Sequence, residues 1–336
     1  MRRGLSRAGE RGVAKAHALP VLLLTVLAGI VLAGRAGHQA PPAGQDPDAG
    51  SYRISVDVAL VVLQATVTDR QGSVVSNLGE PDFEVYEDGK PQHIRLFKNE
   101  DIPVTAGLVV DHSTSMRPKI AEVTAAARAF VRSSNREDQM FVVNFNEVAS
   151  LGLPSTVRFT DRTSELEQAI ADAPARGQTA LYDAVAKGLG ELQAGSRDKK
   201  VLLVVSDGGD NASKHSLDQV MQLAGQSSAV IYTIGVFDVS DQEQNPRVLK
   251  RMARETGGEA FLPGELDEVV AVCERIARDI RHQYTIGYVP SNPARDGSYR
   301  AIRVVARQQG QGRFSVRTRT GYRAGSGPQL VGKVAQ

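Results

Sequence analysis

Three short stretches hold most of the chemistry legible in the chain: Asp111-His112-Ser113-Thr114-Ser115, Gly177-Gln178-Thr179-Ala180 and Ser206-Asp207-Gly208. Together they offer two carboxylates, Asp111 and Asp207, and three hydroxyls, Ser113, Ser115 and Thr179. In an extended loop, alternate residues point the same way, so Ser113 and Ser115 share a side. Two carboxylates among neutral oxygens suit one Mg²⁺, which takes about six oxygens and keeps waters readily. One vertex of such an ion would stay open to an Asp or Glu carboxylate from another molecule. A calcium-buffering site would crowd in more carboxylates, and a zinc site would use His or Cys. The plain alternative is that these Asp and Ser residues merely cap helices, where both types are favoured.

The elements that would position these residues are short apolar runs alternating with helical patterns. The runs are Ala106–Val110, Met140–Phe145, Val201–Val205, Val230–Val236 and a weak Ala260–Leu262, with a short Thr156–Phe159 expected as the third strand. Solid apolar strands are buried on both faces, and their alternation with helices implies a mostly parallel sheet. In the order 3-2-1-4-5-6, Asp111 closes strand 1 and Asp207 follows strand 4. Both acids then flank the crevice where such sheets bind ligands. The helical faces are Ile120, Val123, Ala127, Phe130 and Val131; Leu181, Val185, Leu189 and Leu192; and Val269, Val270, Cys273, Ile276, Ala277 and Ile280. Ser164 with Glu167 reads as a capping box, and Pro246 and Gly257-Gly258 as a helix start and stop.

β-formers lie on both sides of this block. Residues 52–100 contain Ile54 to Val67, a turn at Asp69–Gly72, and Asp88-Gly89 between two apolar runs, a strong hairpin signal. Residues 283–323 read as strands again. Neither flank can bury much core alone. The expected fold class is therefore α/β: a doubly wound, mostly parallel, Rossmann-like sheet of six strands over 101–282. The N- and C-terminal β segments would pair into a smaller, sandwich-like accessory β domain. Residues 324–336 read as a flexible tail.

The chain begins with a basic stretch to Lys15 and the apolar Leu19–Leu32, so 1–37 reads as a signal peptide or an uncleaved signal anchor, with 38–51 as a linker. An exported protein follows: periplasmic, secreted or in the cell envelope, touching membrane only through that segment if it is uncleaved. Residues 1–37 hold six of the 40 Lys and Arg and one of the 38 Asp and Glu, so the rest carries a net charge of −3. A nucleic-acid partner is not expected from that balance. With 41% hydrophobic and 23% charged residues, the 336-residue chain has a globular composition, and the single Cys273 excludes an internal disulfide framework.

The motifs DHSTS at 111–115, GQTALYD at 177–183 and VVSDGGDN at 204–211 resemble the metal-ion-dependent adhesion site (MIDAS) of von Willebrand factor A (VWA) domains. The flanking segments look like the VWFA-related family of secreted bacterial proteins. The resemblance implies that Ser113, Ser115 and Thr179 bind the cation directly and that Asp111 and Asp207 help hold it, often through water. The implied ion is Mg²⁺, with Mn²⁺ or Ca²⁺ as alternatives. The implied function is non-enzymatic binding of a protein ligand with an exposed Asp or Glu. His112 and Gly209 depart from the family pattern. Two other readings stay open: an envelope scaffold that the metal only stabilises, and a metal-dependent hydrolase, for which no P-loop, G-x-S-x-G or H-E-x-x-H motif is present. Of the neighbouring residues, His112 is read as a half-exposed loop residue and Asp210-Asn211 as turn chemistry. Asp183 reads as a second layer around the metal or a helix-face residue. Arg281-His282 and the basic run Arg295 to Arg323 read as a solvated face.

Overall fold

A computed structural model describes residues 59–237, 244–265, 267–308, 310, 312–325 and 330–331. The expected leader 1–37 and linker 38–51, with most of the tail, lie outside the described residues.

The first flank comprises β1 (Ala59–Thr68), β2 (Phe83–Glu87), β3 (Lys90–Gln92) and β4 (Ile94–Lys98). The central block comprises β5 (Val104–Asp111), α1 (Ile120–Ser133), β6 (Gln139–Phe145), β7 (Ala149–Leu151), α2 (Thr163–Ala171), α3 (Leu181–Leu192), β8 (Lys199–Ser206), α4 (Leu217–Gln226), β9 (Val230–Gly235), α5 (Pro246–Thr256), β10 (Ala260–Phe261) and α6 (Glu268–Arg281). The second flank comprises β11 (Tyr284–Tyr288), β12 (Tyr299–Gln308), β13 (Gly312–Arg313), β14 (Ser315–Arg317), β15 (Gly321–Arg323) and β16 (Leu330–Val331).

The central sheet runs β10-β9-β8-β5-β6-β7, with every pairing parallel except β6 with β7. All eight residues of β5 are buried, because helices cover both faces and leave no polar side for alternation to reveal. The helices bury the apolar stripes expected of them, Val123, Ala127 and Phe130 in α1 and Val185, Leu189 and Leu192 in α3 among them. Each of the Val, Leu and Phe side chains contributes about 1.5–3 kcal/mol on leaving water. The free Cys273 is one buried member of the α6 stripe, and burial pushes its thiol up to about 12.

Two local expectations are corrected. The third strand is Ala149–Leu151, antiparallel to β6, and Thr156–Phe159 is irregular. Asn146 Oδ1 accepts from the Val148 amide at 3.1 Å, folding the chain back directly after Phe145, so the next three residues take the sheet edge. Ser164 does not cap α2. It lies inside the helix, whose N-cap is Arg162, while Thr160 bonds the Arg162 amide and Glu165. The capping box in the described chain that involves a serine is Ser216 with Gln219, at the start of α4. The start of α5 at Pro246 and its left-handed cap at Gly257 are as read from the sequence.

The flanks form two antiparallel sheets, β14-β1-β11-β4 with β16 beside β1, and β13-β12-β2-β3 with β15 beside β12. Each sheet takes strands from both flanks: Leu63 of β1 pairs with Ile286 of β11, and Val85 of β2 with Val304 of β12. One core, including Leu63, Val85, Tyr284 and Ile286, fills the space between them. Buried Glu87 accepts from both Tyr288 at 2.7 Å and Tyr322 at 2.9 Å, which ties one flank to the other. The Asp88-Gly89 turn has both residues at positive φ, as a two-residue hairpin requires.

The basic run is not simply a solvated face. Arg317 bonds Glu259 at 2.6 Å and the buried Asp279 at 3.0 Å, and Arg319 bonds the carbonyls of Gly225 and Ser227. These two arginines fasten the second flank to the central block, because a planar guanidinium can reach several acceptors at once.

Candidate functional site

β5 and β8 end side by side, so their terminal residues meet above the sheet. Asp111 is fully buried, with Oδ1 accepting from the Ser113 amide at 2.8 Å and Oδ2 from the Ser206 hydroxyl at 2.6 Å. The Ser113 and Ser115 hydroxyls are 3.1 Å apart, and Ser115 donates to Asp207 Oδ2 at 2.7 Å. Asp207 Oδ1 accepts from the Gly209 amide at 2.9 Å. Ser113, Ser115 and Asp207 thus form one hydrogen-bonded chain across two strand ends.

Thr179 sits on a loop stitched to both neighbours. On one side, the Thr114 amide and hydroxyl donate to the Gly177 carbonyl at 3.2 and 3.1 Å. On the other, Asn211 Oδ1 accepts from the Thr179 amide at 2.8 Å, while the Asn211 and Ala212 amides donate to the Thr179 carbonyl. The structure therefore brings the three loops carrying all five residues into direct contact. Gly208 permits the tight turn after β8: its φ is +83°, and an added Cβ would lie 2.4 Å from the Asn245 carbonyl oxygen.

Burial pushes the Asp111 carboxyl up to about 6, and the nearby Asp207 adds to the rise, against the lowering effect of the Ser113 and Ser206 hydrogen bonds. A cation between the two acids would offset both the desolvation and the repulsion. The donor set fits a small, hard divalent ion, since the Asp207 carboxylate and the Ser113 and Ser115 hydroxyls converge and the hydroxyls can turn lone pairs outward. Among the described residues there is no group of three or more His, Cys, Asp and Glu that could hold a metal.

Several neighbours act differently from the sequence reading. His112 is buried, 1% exposed, not half-exposed: Nε2 lies 3.1 Å from Asn144 Oδ1. Burial lowers its pKa, outweighing Asn144 and the adjacent Ala173 backbone, which favour the charged ring. No local sequence signal marks this burial, because Asn144 approaches from the neighbouring strand, 32 residues away. Asp210-Asn211 is more than a local turn, since Asp210 accepts from the Tyr182 amide at the start of α3 and Asn211 clamps Thr179. Asp183 accepts from the Lys214 and His215 amides and pairs with the His215 ring at 2.6 Å, which holds the segment ahead of α4. Ser206, which holds Asp111, carries no motif of its own. Its place at the strand end, one residue before Asp207, is the signal that could have found it.

Residues 107–271 match the sequence model of the von Willebrand factor type A domain. No curated protein matches the chain. Similar solved structures include a von Willebrand factor type A protein from Catenulispora acidiphila, at 12% identity and a TM-score of 0.48, covering 81% of this chain and 74% of that one. Another is the vWF domain of a type V pili tip protein from Porphyromonas gingivalis, at 14% identity and a TM-score of 0.44, covering 54% and 95%. A third is proximal thread matrix protein 1 from the mussel byssus with a zinc-occupied MIDAS motif, at 16% identity and a TM-score of 0.44, covering 53% and 48%.

Proposed function

Since residues 107–271 form a von Willebrand factor type A domain, we propose that the chain is a non-enzymatic, cation-dependent protein-binding module. Domains of this family generally mediate protein–protein interaction, and many bind a divalent metal at their MIDAS motif. In this chain Ser113, Ser115 and Thr179 hold the ion directly, and Asp111 and Asp207 stand behind them. Mg²⁺ suits this donor set, with Mn²⁺ and Ca²⁺ as alternatives; the ion supplies a coordination position for an Asp or Glu of the partner protein. Asp111 and Asp207 set the charge, the serines and Thr179 fix the oxygens, and Asn211 keeps the Thr179 loop in register. The observation that carries this reading is the hydrogen-bonded chain from Ser113 through Ser115 to Asp207.

The basic start followed by Leu19–Leu32 supports export, so the partner belongs to the envelope or the extracellular space. Mass determination of the mature N-terminus tests whether the leader is removed. Among the described residues no helix is long and apolar enough to cross a membrane. Capture of partners from the native envelope, with and without EDTA and beside Asp111→Ala, tests the binding role. Binding lost in both cases supports it, and binding unchanged in both removes it. The raised Asp111 carboxyl favours a second reading, in which the ion only relieves buried repulsion in a scaffold. EDTA would then lower the melting temperature while partners stay bound.

A further inference from the structure

A cavity of about 290 Å³ lies between the outer face of the first sandwich sheet and the amino end of the central sheet. Its floor is apolar, made by Leu60 and Val62 of β1, Leu96 of β4, and Ile102. Val61 and Leu63 fill the sandwich core, so the alternate Leu60 and Val62 face outward by the period of the strand. The walls are basic, with Lys98, Arg197, Lys200 and Arg319 set against one acid, Asp198.

Two of these cations are bonded only to carbonyls. Arg319 donates to Gly321 at 3.1 Å, Ser227 at 3.4 Å and Gly225 at 2.7 Å, and Lys200 donates to Gly195 at 2.5 Å. Among the described residues neither has a carboxylate within ion-pair distance. Carbonyls satisfy N–H donors without neutralising the charge; burial lowers the pKa of both groups, and for Lys200 it outweighs the attraction of Asp198 beyond ion-pair distance.

We propose that this cavity binds a small amphipathic carboxylate, with its head against Lys200 and Arg319 and its aliphatic body along Leu60, Val62 and Leu96. Arg319 uses three donors on carbonyls, and a guanidinium has five, so donors remain for a carboxylate head. The volume holds about ten waters at about 30 Å³ each, which matches a straight chain of about eight carbons. It also lies at the small end of ligand pockets, which run from about 300 Å³. Lys200 and Asp207 are at opposite ends of β8, roughly 23 Å apart at 3.3 Å per residue, so this site is separate from the acidic loops.

Calorimetric titration of the full chain with octanoate, in EDTA to silence the acidic loops, tests the proposal, with octanamide as the uncharged comparison. Octanoate should bind one to one and at least about tenfold more tightly than octanamide, as a charge-assisted hydrogen bond implies. Lys200→Gln should weaken octanoate by about tenfold and leave octanamide unchanged. Val62→Phe, which fills the floor, should abolish both without lowering the melting temperature of the ligand-free chain. Failure of octanoate to bind, equal affinity for the two probes, or affinity indifferent to both variants overturns the proposal. The last outcome would mean adventitious surface binding only. The comparison of the two probes on the unmodified chain needs no variant to fold.

Discussion

At the carboxyl ends of β5 and β8, Asp111 and Asp207 stand among hydroxyls and amides, whereas at the amino end of β8 Lys200 and Arg319 face carbonyls across a cavity. Charge of opposite sign thus gathers at the two ends of one buried sheet. The acidic end is built within the central block from three loops that follow strands or lead into a helix. The basic end exists only because two flanks from opposite ends of the chain close beside the block. The comparison separates a site that a fold supplies by itself from one that needs the flanks.

Breaking the clamp between flank and block has the largest expected effect. Arg317→Ala leaves the buried Asp279 without its ion pair, which costs about 3–5 kcal/mol in urea unfolding. A loss below about 1 kcal/mol would mean that the flanks stand apart from the block.

The acidic end predicts a pH signature. A carboxyl held at about 6 rather than 3.8 makes ionisation of Asp111 cost the folded state about 3 kcal/mol. Through this group, the cation-free chain is most stable below about pH 4 and loses stability as the pH rises toward 6. Saturating divalent cation should invert the trend over that window, because binding requires the carboxylate. Melting curves with and without Mg²⁺ from pH 4 to 7 check both signs.

Gly208→Ala should cost about 1–3 kcal/mol, since its φ of +83° and the Asn245 oxygen both oppose a Cβ. It should also weaken cation binding by displacing Asp207. Asn211→Ala should cost the least, about 1 kcal/mol, by removing the acceptor of the Thr179 amide. Its cation affinity should fall while the pH trend of Asp111 persists, which a titration of each variant would show.

Much of this was legible in the sequence where the signal is local. Solid apolar strands, helix stripes, the Asp88-Gly89 turn and acids at strand ends each lie within a few consecutive residues, so the doubly wound sheet and the three loops follow directly. The third strand lies earlier than apolar content suggests because Asn146 turns the chain directly after Phe145. The burial of His112 and the role of Arg317 were hidden for a different reason: their partners, Asn144, Glu259 and Asp279, are distant in sequence. The basic cavity draws on residues from Leu60 to Tyr322, and no window of the chain contains it.

The most direct test of the acidic end is a calorimetric titration of Mg²⁺ or Mn²⁺ into the purified chain and into Asp111→Ala and Ser115→Ala. One ion per chain, lost in the first variant and weakened in the second with the fold intact by circular dichroism, is the expected result. A chain that takes up no divalent ion, or variants that bind as tightly as the unmodified protein, would contradict the assignment of these loops as a cation site.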